Sequence, residues 1–382
     1  MSVTYPKGFM AAGISCGLKK DKKDLALVVN TGNKYDASAV FTSNQIKAAP
    51  VLWTQEVIKQ KKLKAVLVNS GGANACTGAK GFQDTHQSAE ILAKKLSIGS
   101  AQIGICSTGL IGKRLDIEKI EIGITEAVTK LSETSGSEAA EAILTTDSHA
   151  KEVINDHQNF KIGAMIKGAG MLAPDLATMI CIITTDADIS KIDHQQVLKY
   201  CVSKTLNRLD SDGCTSTNDT VILMSSAASN YEPSTKEFES QLLVVLEKLS
   251  NLLIEDAEGS TKVISISVEN AKSEEDALEA ARAVARNNLL KCAIFGEDPN
   301  WGRVLAAVGT VKSEIDQNLI DVTINQQLVC RMGTNLEVEP KIDLSNKYVD
   351  ITINLNLGKY SAKVLTNDLS IKYVHENSAY ST

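Results

Sequence analysis

The feature that most restricts the fold is KGAGMLAPDLATMICIITTDADI, residues 167–189. It begins as a glycine-rich loop, turns at Pro174 and becomes a nearly all-apolar strand over Thr178–Thr184. A short apolar run rich in β-branched residues and bounded by turn residues reads as a buried strand. Other strands are expected at Leu25–Asn30, Ala39–Thr42, Lys64–Asn69, Lys161–Lys167, Thr220–Ser225, Lys262–Val268, Leu319–Ile324, Tyr348–Leu355 and Tyr360–Thr366. Within YVDITINLNL the apolar and polar residues alternate, as in a sheet with one covered face. A helix over Asp116–Leu131 puts Ile117, Ile120, Ile124, Val128 and Leu131 on one face. Lys236–Leu253 and Ser273–Leu290 read as two more, the latter opening with Ser273 and Asp276 in capping-box spacing. The order is mixed rather than strictly βαβ, so an α+β layered sandwich, with mixed sheets flanked by helices, is expected over a doubly wound sheet. Ser229–Thr235 reads as a connection and not as a domain boundary.

Bulk properties narrow the function classes. The 382 residues are 43% hydrophobic and 23% charged, with a formal net charge of -6. Such a chain can bury a substantial core, and its mild acidity does not suggest a nucleic-acid surface. The N-terminus lacks an apolar run long enough for a signal peptide or a membrane span. Eight cysteines occur without a C-x-x-C pair, and five histidines lack metal-ligand spacing. The expectation is a cytoplasmic, reduced protein with no metal, no membrane and no nucleic-acid partner.

Several loops carry residues suited to chemistry. NSGGANACTGAKG (residues 69–81) follows a strand and offers Gly71, Gly72, Gly78 and Gly81 for close approach of backbone to a ligand. A long turn before a helix is the plainer reading. GICSTGLIGKRL (residues 104–115) evokes a phosphate loop, but Ser107 occupies the first glycine position and Arg114 the Ser/Thr position. What remains is a strand ending at Ser107-Thr108-Gly109, where a hydroxyl beside a glycine N–H suits an oxyanion hole, or an ordinary strand-to-helix turn. In TLNRLDSDGCTSTNDT, Asp210, Asp212 and Asp219 are candidate metal ligands without calcium-loop spacing. A turn rich in side-chain-to-backbone hydrogen bonds is the better reading there. FGEDPNWGRVLAAVG (residues 295–309) is a further polar loop whose tryptophan suits packing.

A threonine hydroxyl is a weak nucleophile unless a base takes its proton. No histidine stands near Thr178. Cleavage of the Ala177–Thr178 peptide would solve this, because the freed α-amine, with a reference pKa of about 7.7–8.0, sits on the same residue. Gly168 and Gly170 permit strained backbone before that bond, and Pro174 stiffens it. The bland alternative is a glycine loop entering a buried strand.

Together these motifs resemble the bifunctional ornithine acetyltransferase/N-acetylglutamate synthase family of arginine biosynthesis. KGAGMLAPDLATMI is similar to its cleavage and nucleophile segment, STGLIG to its oxyanion segment and NSGGANACTG to its early glycine loop. LTTD (residues 144–147), DSDGCTSTNDT, EGSTK (residues 258–262), GEDPNWGR and the terminal NSAYST follow in the family's order across the chain. Ala169 and Asp175 stand where the family more often has serine and asparagine.

The resemblance implies the fold of self-processing ornithine acetyltransferases and aminopeptidases. It implies an α chain, 1–177, and a β chain, 178–382, forming one intertwined catalytic unit with room for a smaller C-terminal subdomain. Thr178 would carry the acetyl group from N2-acetylornithine to glutamate by ping-pong chemistry, with Thr108 and Gly109 as oxyanion donors. Thr145, Lys167, Thr178, Glu258, Asn377 and Thr382 would bind substrate, with Thr146 an alternative to Thr145. No cofactor is implied; acetyl-CoA is a candidate co-substrate, and an α2β2 heterotetramer the expected assembly. Two competing readings are a related self-processing aminopeptidase or amidase and a non-catalytic binding protein.

Overall fold

The computed structural model describes residues 2–173, 179–338 and 340–379. Two compact units are present: Met1–Asn207 with Cys214–Leu253, and Arg208–Gly213 with Ile254–Ser381.

In the first unit the elements run β1 (Phe9–Ile14), β2 (Leu25–Asn30), β3 (Ala37–Phe41), α1 (Ala49–Val57), β4 (Ala65–Asn69), α2 (Gly78–Leu96), β5 (Ile103–Ser107), α3 (Ile117–Thr129) and α4 (Gly136–Ala142). They continue with β6 (Lys151–Asp156), β7 (Lys161–Lys167), β8 (Ile180–Thr185), α5 (His194–Lys204), β9 (Thr220–Ser225) and α6 (Thr235–Glu255). Two sheets form, ordered β1-β2-β4-β5 and β3-β9-β8-β7-β6. Both are mixed, each with one parallel pair, β4 with β5 and β8 with β9. This is the α+β layering expected from the mixed element order.

The apolar residues account for the layers. Val28, Val66, Val68 and Cys106 of the first sheet pack with Met165, Ile180, Ile182, Ile222 and Met224 of the second. The far face of the first sheet, through Leu27, Leu67 and Ile105, meets Leu92 of α2 and Ile120 and Ile124 of α3. On the second sheet α5 lies along β3, and Phe238 of α6 has its ring 6.0 Å from that of Phe160, just before β7. Every residue of β8 is buried, as an apolar run shielded on both faces requires.

The second unit contains β10 (Val263–Ala271), α7 (Glu274–Ala285), α8 (Asn288–Phe295), α9 (Trp301–Val308), β11 (Asp321–Ile324), β12 (Gln327–Arg331), β13 (Thr334–Asn335), β14 (Tyr348–Asn354), β15 (Tyr360–Asn367) and α10 (Ile371–Ala379). Its sheet, ordered β13-β12-β11-β14-β10-β15, buries Ile264, Ile266, Val322, Ile351 and Val364 among Ala281 and Val284 of α7, Ile294 of α8 and Val304 of α9. The alternation in β14 follows its sequence, with Val349, Ile351 and Ile353 inward.

Differences from expectation have local causes. The helix expected over Ser273–Leu290 is two helices, because the Asn287 side chain accepts the Leu290 N–H at 3.0 Å and caps a new start. The expected cap at Ser273 is present, accepting the Asp276 N–H at 3.1 Å. Ser229–Thr235 joins β9 to α6 inside the first unit. Four strands escaped the sequence pattern: β1, β6, β12 and β13. β6 is polar and half exposed, while β1, FMAAGI, is rich in small residues with weak strand preference. What holds β1 is packing: a Cβ on Gly13 would lie 1.9 Å from the Glu138 carbonyl oxygen of α4. Gly13→Ala is therefore expected to lower stability by about 1–3 kcal/mol, measured as a shift in urea unfolding; an unshifted midpoint would show that α4 is not seated on β1.

Candidate active site

β4 and β5 run parallel, so Asn69 and Ser107 end side by side in register. Ligand-binding loops in α/β proteins commonly leave from such carboxyl ends. Asn69 secures the exit: its amide donates to the Ser107 hydroxyl, and its carbonyl accepts the Thr108 N–H at 3.0 Å. Thr108 is buried beneath the loop. Gly109 takes φ 127°, and a Cβ there would lie 2.9 Å from the Gly72 nitrogen. The two glycine-bearing loops thus touch backbone to backbone, which any side chain at Gly109 would prevent. A second tie joins them, the Ala73 N–H to the Leu110 carbonyl at 3.2 Å.

The second sheet brings a charge cluster to the end of β7. Lys167 pairs in register with Ile180 of β8, and its side chain is fully buried. Asp147, also fully buried at its side chain, lies 3.8 Å from the Lys167 ammonium and 2.7 Å from that of Lys151. The same carboxylate accepts the N–H groups of Thr145 at 3.1 Å and Gly168 at 2.6 Å. Burial raises the proton affinity of Asp147, but Lys167, Lys151 and these hydrogen bonds outweigh it and hold the carboxyl well below its ordinary range. Lys19 donates to the Leu144 carbonyl at 2.7 Å. Burial, with repulsion from Lys22 and Lys167, lowers its ammonium to about 8 against the pull of Asp24 and Asp147. Cations therefore outnumber Asp147 around the Leu144–Asp147 turn, a setting suited to an anionic ligand.

Asp219 is the second carboxylate of this region. It is fully buried and accepts the Met179 N–H at 3.0 Å. Burial pushes it up to about 7 against the Met179 N–H, Ser216 and Lys167. Beside it, Asn218 donates to the Ala73 and Ser107 carbonyls at 2.6 and 2.7 Å.

Among the expected site residues, Thr108, Gly109, Thr145 and Lys167 occupy the first unit. Glu258 and Asn377 occupy the second. Glu258 is half-buried in the turn after α6, and Asn377 lies exposed on α10, donating to the Tyr373 carbonyl at 3.1 Å. Gly259 at φ 64° brings that turn against α10, since a Cβ there would lie 2.2 Å from the Tyr373 nitrogen. Ala177, Thr178 and Thr382 lie outside the described residues. In the preceding loop, Gly168 (φ 158°) and Met171 (φ 52°) take positive φ.

In the DSDGCTSTNDT loop, two of the three candidate aspartates have partners within the protein. Asp210 pairs with Arg286 at 2.7 Å, and Asp219 holds Met179. Among the described residues no group of three His, Cys, Asp or Glu side chains could hold a metal ion, and no helix is long and apolar enough to cross a membrane. Sequence reasoning missed the anchoring roles of Asn69, Asp147, Asn218 and Asp219. The available signal was a polar residue at the end or start of each apolar strand.

The ArgJ family model matches residues 10–382. The arginine biosynthesis bifunctional protein ArgJ of Streptomyces coelicolor is 49% identical over 383 residues, covering 100% of both chains. That of Mycobacterium tuberculosis is 48% identical over 389 residues, covering 100% of this chain and 96% of its own. The chain belongs to the ArgJ family. It is an acyltransferase of arginine biosynthesis, which sets aside the aminopeptidase and the binding protein. Among solved structures, the M. tuberculosis ornithine acetyltransferase complexed with ornithine shares 49% identity with a TM-score of 0.45, covering 47% of this chain and 96% of that one. The Bacillus halodurans ArgJ structure shares 30% identity with a TM-score of 0.48, covering 52% and 97%.

Removing Asp147 would strand the buried ammonium groups of Lys151 and Lys167. Asp147→Asn is expected to cost about 3–5 kcal/mol at pH 7. Its folded pKa is depressed, so its contribution is fully present above the unfolded value of about 4 and is lost as pH falls from there through the lower folded value. Urea unfolding of both forms across that range checks this. A difference that persists unchanged to low pH would remove Asp147 as the counter-charge.

Proposed function

We propose that the chain cleaves itself between Ala177 and Thr178 and then moves acetyl groups through Thr178. The products would be the chains 1–177 and 178–382, assembled as α2β2 in the cytoplasm. The observation that carries this reading is the contact of Gly109 with Gly72 beside the buried Thr108. It holds the backbone of the segment where oxyanion donors are expected, and donors fixed in place before reaction stabilise developing charge best.

The chemistry follows in balanced steps. In cleavage, Thr178 Oγ attacks the Ala177 carbonyl and its proton passes to the departing nitrogen, so the peptide becomes an ester with a free Thr178 amine; water then hydrolyses the ester to the Ala177 carboxylate and the Thr178 hydroxyl. In transfer, that amine takes the hydroxyl proton as Oγ attacks the acetyl carbonyl of N2-acetylornithine. The Thr108 hydroxyl and Gly109 N–H receive the oxyanion. Collapse returns the proton to the leaving amine, releases ornithine and leaves an acetyl-threonine ester. The glutamate amine then attacks the ester, giving N-acetylglutamate and restoring the hydroxyl. The β-branch of threonine limits χ1 and so narrows the directions open to Oγ.

Lys167 would neutralise the substrate α-carboxylate, held by Asp147, whose carboxylate Lys151 also pairs. Thr145 shares that support through its N–H on Asp147. Glu258 would pair with the ornithine ammonium, with Asn377 and Thr382 completing substrate binding. The curated relatives are named bifunctional, and acetyl-CoA as a second acetyl donor to glutamate fits that name.

Denaturing electrophoresis and N-terminal sequencing of the purified protein are expected to give two chains, one starting at Thr178. Thr178→Ala is expected to stay as one chain without turnover; an active, uncleaved variant would refute the scheme. Thr108→Ala is expected to lower kcat by about 10²–10³ with little change in substrate binding. A loss confined to KM would take Thr108 out of the oxyanion role.

A further inference from the structure

The loop Ser216–Thr220 reaches both halves of the chemistry at once. Asn218 is buried, and its amide nitrogen donates to the carbonyls of Ala73 and Ser107. Those residues belong to the two glycine-bearing loops that meet at Gly109. The amide is itself oriented, since its oxygen accepts the Thr217 hydroxyl at 2.6 Å and the Asn218 N–H donates to the Ser216 hydroxyl at 3.1 Å. The next residue, Asp219, accepts the Met179 N–H at 3.0 Å. That N–H belongs to the peptide joining Met179 to Thr178. The grip is doubled, because the Thr220 N–H donates to the Met179 carbonyl at 3.1 Å. Asp219 is held in turn, its carbonyl accepting the Thr42 N–H at 3.0 Å.

From this geometry we infer that Asn218 and Asp219 are a positioning pair that sets the span between the oxyanion loop and the nucleophile. The inference rests on the roles given above to Thr178 and Thr108. Adjacent residues linked by one trans peptide hold their Cα atoms about 3.8 Å apart. Asn218 fixes that short ruler to Ser107, one residue before Thr108, and Asp219 fixes it to Met179, one residue after Thr178. The ruler spans two different sheets, which do not share a hydrogen-bond ladder. A fully buried carboxylate is costly to keep, and among the described residues the second oxygen of Asp219 has no hydrogen-bond partner. The carboxylate is therefore poorly explained as a device for stability alone. Beyond its own loop, the carboxylate accepts from the backbone N–H of Met179, next to the nucleophile.

The test compares Asp219→Ala, which removes the acceptor, with Asp219→Asn, which retains one. Purified full-length variants are scored for self-cleavage, for kcat and KM with N-acetylornithine and glutamate, and for thermal unfolding. Misplacement of a reacting group by about 1 Å costs about 10²-fold, so Asp219→Ala is expected to lose about that factor in cleavage rate and kcat. KM should stay within about threefold, since a loss confined to the reacting geometry leaves ground-state binding alone. Asp219→Asn should restore most of both rates. Wild-type rates in Asp219→Ala overturn the inference. So does an equal loss in a folded Asp219→Asn, which would assign the effect to charge. If Asp219→Ala does not fold, Asn218→Ala carries the same comparison, and unchanged kcat there overturns the pair. A wild-type protein without a Thr178 terminus would instead defeat the functional reading on which the pair rests.

Discussion

The pairing of β8 between its neighbours is the constraint on which the site depends. Ile180 stands opposite Lys167 on one side and Thr220 on the other. In a sheet the side chains alternate between faces, so slipping β8 by one residue would exchange the side chains that its two buried faces present. The burial of every residue in β8 makes that slip costly. The register therefore fixes where the chain emerges at Met179, between a buried lysine and the loop that carries Asn218 and Asp219. The parallel pairing of β4 and β5 performs the same service for Thr108.

Charge is handled by one rule at both carboxylates. Asp147 is buried but surrounded by ammonium groups and N–H donors, and it stays ionised. Asp219 is buried with fewer such partners, and its proton affinity rises. Two chemically identical groups in one region thus differ in protonation behaviour because of what faces them. The first anchors two buried ammonium groups. The second grips backbone.

Much of this was readable from residues alone, and the limits are physical. The apolar run MICIIT reported its own burial, and β2 and β9 were legible as apolar β-branched runs with polar flanks. The strand FMAAGI was not, since alanine and glycine signal neither period nor propensity; its place is set by α4 pressing on Gly13. The break at Asn287 was hidden because asparagine in a helical pattern does not announce that it will cap a second helix. Motif order pointed to Thr108, Gly109 and Lys167, and these sit on loop and strand ends of one unit. The acidic loop at Asp210–Asp219 read as a turn, with a metal site as its alternative, because sequence lists carboxylates without their partners. Only three-dimensional neighbours separate the ion pair of Asp210 with Arg286 from the backbone contact of Asp219.

The central claim is that the acetyl group rests on the hydroxyl of Thr178 between donor and acceptor. The most direct measurement is intact mass spectrometry of the protein mixed with N-acetylornithine and no glutamate. The account predicts a gain of about 42 Da, one acetyl group replacing one hydrogen, on the chain beginning at Thr178, lost again when glutamate is added. Steady turnover with no acetylated chain, or an acetyl group carried only by the chain that ends at Ala177, would contradict it.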